Sequence, residues 1–217
     1  MKKVAVMLSG CGFRDGSEIH EATLTLLALD EAGAEARCMA PDIPQVRVVN
    51  HLTMEAVPEN RRVLAEAARI ARGKILDVAK ARPADFDALI FPGGSGAATN
   101  LCNFYDGGAG LIVHPGVLAF ARALHQAGKP LGLICISPCM APAIAGPGVR
   151  YTFGNAPEAE ARVDAMGGRH VRSPVTGCVV DSARRIVSTP AYMYGNARIG
   201  EVAAGIRKLV SAVLEMA

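Results

Sequence analysis

Short apolar runs that stop abruptly at glycine or proline govern what this chain can fold into. Val4-Ala-Val-Met-Leu8 stops at Ser9-Gly10, Phe86-Asp-Ala-Leu-Ile-Phe91 stops at Pro92-Gly-Gly, and the run over 130–136 stops at Ser137-Pro138. A strand apolar on both faces must be covered on both faces, which is the situation of parallel strands in α/β proteins. Helical stretches separate these runs. Residues 18–32 follow Ser17, a good N-cap, and stop at Gly33; residues 58–72 carry Val63, Leu64, Ala67, Ala68, Ile70 and Ala71 at helical spacing and stop at Gly73. Further helices are predicted over 97–103, 114–127, 138–144, 158–166 and 196–214. Further strands are predicted over 35–39 and 75–78 and near Val171, Val179 and Val187.

Strands alternating with helices predict βαβ units and a doubly wound, mainly parallel sheet with helices on both faces. The turn 181–184 between Val-rich runs predicts an antiparallel hairpin near the end. Residues 42–58 read as irregular, with an extended piece over 46–50. No linker or repeat interrupts the sequence, so residues 1–217 are read as one domain.

Composition narrows the function classes. The 217 residues are 51% hydrophobic but only 5% aromatic, without tryptophan, and the net charge is +3 with no basic stripe. That argues against nucleic-acid binding, which needs a basic face or stacking aromatics. No apolar run approaches the ~20 residues of a membrane span, and the apolar start is too short for a signal peptide. The expectation is a cytoplasmic protein. Its six cysteines read as free thiols, and Cys135-x3-Cys139 lacks the partners of a metal site.

In an open α/β sheet, ligands gather at the carboxyl ends of the strands. Three segments would meet there: loop 9–16, Pro92-Gly-Gly-Ser-Gly96, and the turn holding Cys135. A strand that enters a helix within two or three residues can present a nucleophile on a strained turn. A core cysteine is the plainer reading of the same residue. Gly93 and Gly94, with the amide of Ile136, could offer N–H groups to an oxyanion, or could simply form a tight turn. Glu18 and Glu21, early in the first helix, could act as acid or base, or could be solvated. His20 and Glu21 are adjacent and point about 100° apart on a helix, so they are not expected to act together. Gly10-x-Gly12 with Gly16 misses the dinucleotide fingerprint by one residue.

The run MLSGCGFRDGSEIHEATLTLLAL, the segments VVNHLT, FPGGSGAATNLCNF and GKPLGLICISP, and the late STPAYM together resemble the ElbB family, in the PfpI-like branch of the class I glutamine amidotransferase-like superfamily. The resemblance spans nearly the whole chain. It implies a flavodoxin-like sandwich, a homodimer, Cys135 as the reactive residue, and Glu21 as its partner, with Glu18 second. It also implies cofactor-free, glutathione-independent conversion of glyoxal to glycolate, and an association with isoprenoid biosynthesis that identifies no reaction. The sequence departs from hydrolytic relatives, because Ile136 rather than histidine follows Cys135 and no His-x-Glu comes later. A Cys–Glu pair is therefore expected in place of a triad. The competing reading is a non-catalytic redox-sensing or partner-binding protein that uses Cys135.

Overall fold

The computed structural model describes residues 1–107 and 110–217. Its strands are β1 (Lys3–Met7), β2 (Glu35–Ala40), β3 (Val48–Asn50), β4 (Glu55–Val57), β5 (Ile75–Asp77), β6 (Ala88–Phe91), β7 (Leu131–Ile134), β8 (Arg150–Tyr151), β9 (Arg169–His170), β10 (Val179–Asp181) and β11 (Ile186–Thr189). The helices are α1 (Ile19–Glu31), α2 (Val63–Ile70), α3 (Ser95–Thr99), α4 (Pro115–Gln126), α5 (Ala141–Ala145), α6 (Pro157–Ala165) and α7 (Ile199–Met216).

Seven strands form one sheet in the order β10-β11-β7-β6-β1-β2-β5. Every pairing is parallel except β10 with β11, which is the expected hairpin. From β1 the chain winds outward through β2 to β5, then returns to β6 on the other side of β1 and winds outward again. The switch point therefore lies between β1 and β6, where a crevice opens at the strands' carboxyl ends. Val4–Leu8, Leu89–Phe91 and Leu131–Ile134 are buried, apart from Ala5 and Gly132 all as large or medium apolar side chains. The sheet is thus covered on both faces, as its apolar strands require. α7 packs beside α1, and Arg207 bonds Glu31 across their exposed edge at 3.0 Å.

Local differences from the sequence reading have physical causes. α1 is capped by Glu18, whose carboxylate accepts from the Glu21 amide at 2.7 Å. Ser17 is fully buried and instead accepts from the Ser9 amide at 2.8 Å. Helix α2 begins at Val63, not Pro58, because Arg62 is extended and 61–63 pair with residues 43–45. The stretch 42–58 contains a real hairpin, β3–β4, pinned to the loop after β1: Asp15 accepts from the Val49 amide at 2.8 Å. Asn100 ties this region together, accepting from Val46 N and donating to the carbonyls of Ser9 and Asp15, each at 2.9 Å. The strand expected near Val171 is β9, paired with β8 outside the main sheet.

Candidate active site

Cys135 stands where β7 ends, with φ +59, a left-handed conformation that costs a side-chain-bearing residue about 1–2 kcal/mol. Two bonds brace this turn. The Cys135 amide donates to Thr189 O at 2.9 Å, and Ser137 Oγ donates to Pro92 O at 2.8 Å. The chain then makes a 3-10 turn over Ser137–Met140 before the five-residue α5. The short helix expected over 138–144 is thus divided between a 3-10 turn and α5, so individual amides, not a helix dipole, face the sulfur.

Those amides belong to Gly94 and Ile136, both of which act to lower the Cys135 pKa. Gly93 does something different. Its N–H is taken by Glu21 Oε2 at 2.9 Å and is not free for a substrate oxyanion, which corrects its expected role. Its missing side chain matters more. A Cβ on Gly93 would lie 2.4 Å from Cys135 Cβ and 2.5 Å from Glu21 Oε2. Only glycine lets the thiol and the carboxyl converge on that point. Gly94 adopts φ +94, and a Cβ there would strike Glu18 N at 2.3 Å.

Glu21 is fully buried in the first turn of α1. Oε1 accepts from the Tyr192 amide at 3.2 Å, and the carboxyl also hydrogen-bonds the Cys135 thiol. Burial, with the charge of Glu18 second, pushes Glu21 up to about 8. Burial also pushes the Cys135 thiol up, and so does any charge on Glu21. A charge on either group therefore opposes ionisation of the other, and burial favours the neutral form of both. Cys135 as a residue is 8% exposed, so the site is closely packed.

Glu18 is spent on capping α1, and its amide donates to Gly93 O at 3.0 Å. Through these two bonds it sets the position of Glu21 and Gly93. The glycine-rich loop 9–16 is folded onto the 94–96 turn: Ser95 N donates to Phe13 O at 2.8 Å and Gly96 N to Gly16 O at 2.9 Å. A Cβ on Gly16 would meet Cys11 N at 2.2 Å. These glycines serve backbone packing, not the cradling of a pyrophosphate. Among the described residues, no three metal-ligating side chains gather in one place.

The sequence reading missed Tyr192. Its amide holds Glu21, and its hydroxyl lies 3.0 Å from His20 Nδ1. His20 and Glu21 point apart on α1, as expected, yet Tyr192 links them. Ala191, at φ +43, bends the chain so that Tyr192 reaches α1. Nothing in a single sequence marks an alanine as left-handed.

No protein-family model matches the chain. It is 43% identical over 225 residues to the human protein named glutamine amidotransferase-like class 1 domain-containing protein 3, mitochondrial, covering 99% of the chain and 83% of that protein. It is likewise 43% identical to the rat ES1 protein homolog, mitochondrial, over 99% of the chain and 84% of that protein. Both relatives are mitochondrial, which overturns the expectation of a cytoplasmic home. Among solved structures, an isoprenoid biosynthesis protein with amidotransferase-like domain from Ehrlichia chaffeensis superposes with a TM-score of 0.91 at 38% identity, covering 98% of the chain and 99% of that structure.

Proposed function

The chain belongs to the class I glutamine amidotransferase-like family, and on that premise we propose that it is a cysteine-dependent, glyoxalase-like enzyme of the ElbB type acting on small dicarbonyls such as glyoxal. The observation that carries this reading is the convergence of Cys135 and Glu21 on the space left empty by Gly93. The burial of Cys135 and Glu21 favours a substrate of very few atoms.

In the proposed sequence, Glu21 takes the thiol proton as the sulfur adds to one aldehyde carbon of glyoxal, giving a hemithioacetal. The amides of Gly94 and Ile136 hold the oxygen that becomes negative. Glu21 gives the thiol proton to that oxygen, completing the hemithioacetal; as carboxylate again it removes the proton from that carbon and returns it to the neighbouring one, while the hydroxyl proton passes to the second oxygen, leaving a thioester of glycolate. Water cleaves the thioester, releasing glycolate and the free thiol. The net change is addition of one water to glyoxal. Neither metal nor nucleotide takes part in these steps.

A homodimer and a link to isoprenoid biosynthesis belong to the same proposal; the second rests on the name of the Ehrlichia protein and specifies no reaction. The test is glycolate formation from glyoxal by Cys135→Ala in the presence of a chelator. Production should fall to the uncatalysed rate, and undiminished turnover ends the proposal.

A further inference from the structure

A pair of thiols, Cys102 and Cys139, lies outside the Cys135–Glu21 site. Cys102 follows α3, and Cys139 sits in the 3-10 turn after Cys135; their sulfurs are 3.7 Å apart and both residues are buried. Neither has a part in the carbonyl chemistry above. Cys102 Sγ donates to Ala97 O at 3.3 Å, which leaves the Cys139 S–H to point at the Cys102 sulfur. That hydrogen bond favours the charged form of Cys102, whose pKa is lowered, while Cys139 is raised by burial. The Arg162 guanidinium, 4.3 Å from the Phe104 ring and bonded to Phe104 O, adds positive charge on the same side. A cavity of about 230 Å³ is lined by Arg162 and by Asn103 and Phe104, the residues directly after Cys102.

We propose that Cys102 and Cys139 are a redox-active dithiol that closes to a disulfide and thereby controls the Cys135 site. A disulfide S–S bond is about 2.05 Å long, so each sulfur must travel only about 0.8 Å from its place in the 3.7 Å pair. The oxidant is a small hydroperoxide. Cys102 thiolate attacks its terminal oxygen and breaks the O–O bond, giving Cys102 sulfenic acid and an alcohol or water. The Cys139 sulfur then attacks the Cys102 sulfur; the S–O bond breaks, and the hydroxyl leaves as water with the Cys139 proton. Two electrons pass from the thiols to the peroxide. The closed bridge joins the end of α3 to the turn after Cys135. The same two elements supply the amides of Gly94 and Ile136, so closure moves them relative to the Cys135 sulfur.

The test begins with Cys135→Ala, so that oxidation at the elbow cannot intrude, treated with hydrogen peroxide and mapped by peptide mass. The expected result is loss of two hydrogen atoms per chain, located between the Cys102 and Cys139 peptides, and reversed by a thiol reductant. Oxygen addition at other cysteines, or a bridge elsewhere, overturns the dithiol. In the otherwise native chain, oxidation should slow alkylation of Cys135 by iodoacetamide severalfold, with recovery on reduction. Cys102→Ser keeps a hydroxyl donor for Ala97 O and should show the reduced-state rate before and after peroxide, once sulfenic acid at Cys135 is reduced back. If the native chain forms the bridge and alkylation does not change, control of the site is overturned. These readouts are independent of glyoxal turnover, so they separate failure here from failure of the glyoxalase reading.

Discussion

Gly93 shows how one absent side chain can decide a site. Gly93→Ala would place a methyl group 2.4 Å from Cys135 Cβ, an overpacking expected to cost about 1–3 kcal/mol. It should also force Cys135 and Glu21 apart; denaturant unfolding and the rate of Cys135 alkylation measure the two effects. Glu21 gives a prediction in pH. Its carboxyl is held up to about 8 against an ordinary 4.5, so the fold favours the neutral acid. The native state therefore binds more protons than the unfolded chain between those values. The associated stability is complete below 4.5 and is lost as pH rises toward about 8. Glu21→Gln cannot ionise and should flatten that decline, as read by urea unfolding at several pH values across the window. A native-like slope in the variant would show that other groups cause it.

At the scale of elements, Glu18 separates capping from chemistry. Replacing an N-cap side chain by alanine costs ~1 kcal/mol. Glu18→Ala should show that loss, while Glu18→Gln, which keeps an oxygen for the Glu21 amide, should retain both stability and glycolate formation. Loss of turnover in the glutamine variant would return Glu18 to the chemistry. The main elements were legible because β1, β6 and β7 are apolar on both faces and end at Gly or Pro, signals that lie within a few residues of sequence. The convergence of loop 9–16, the 92–96 turn and Cys135 was legible for the same reason, since strand ends in such a sheet share one edge. What was hidden depends on contacts between distant segments. Glu18 displaced Ser17 as the cap because the Ser9 amide claimed Ser17 from eight residues away. The α2 start moved because 61–63 found partners at 43–45. The Gly93 amide was taken by a carboxylate 72 positions distant. Tyr192, 171 positions from Glu21, had no local signature.

Across the whole molecule, Asn100 is the knot between the loop after β1, the 42–58 region and α3. Asn100→Ala removes the acceptor of the Val46 amide and the donor to Ser9 O, while Asp15 O keeps Gln45 Nε2 at 3.1 Å; a group left buried without a partner costs ~1–3 kcal/mol if water cannot replace it. The expected outcome is a clear fall in the thermal midpoint and earlier proteolytic cutting within 42–58; unchanged proteolysis would show that the hairpin is held by other means. The brace on Cys135 also has a temporal meaning. The carbonyl that anchors its amide belongs to Thr189, on a strand that the ribosome delivers only after β8, β9 and β10. During translation the sulfhydryl emerges long before the neighbour that bends and shields it. Its reactivity in a nascent polypeptide is therefore that of an ordinary exposed cysteine, and the special behaviour of this residue begins only when β11 docks.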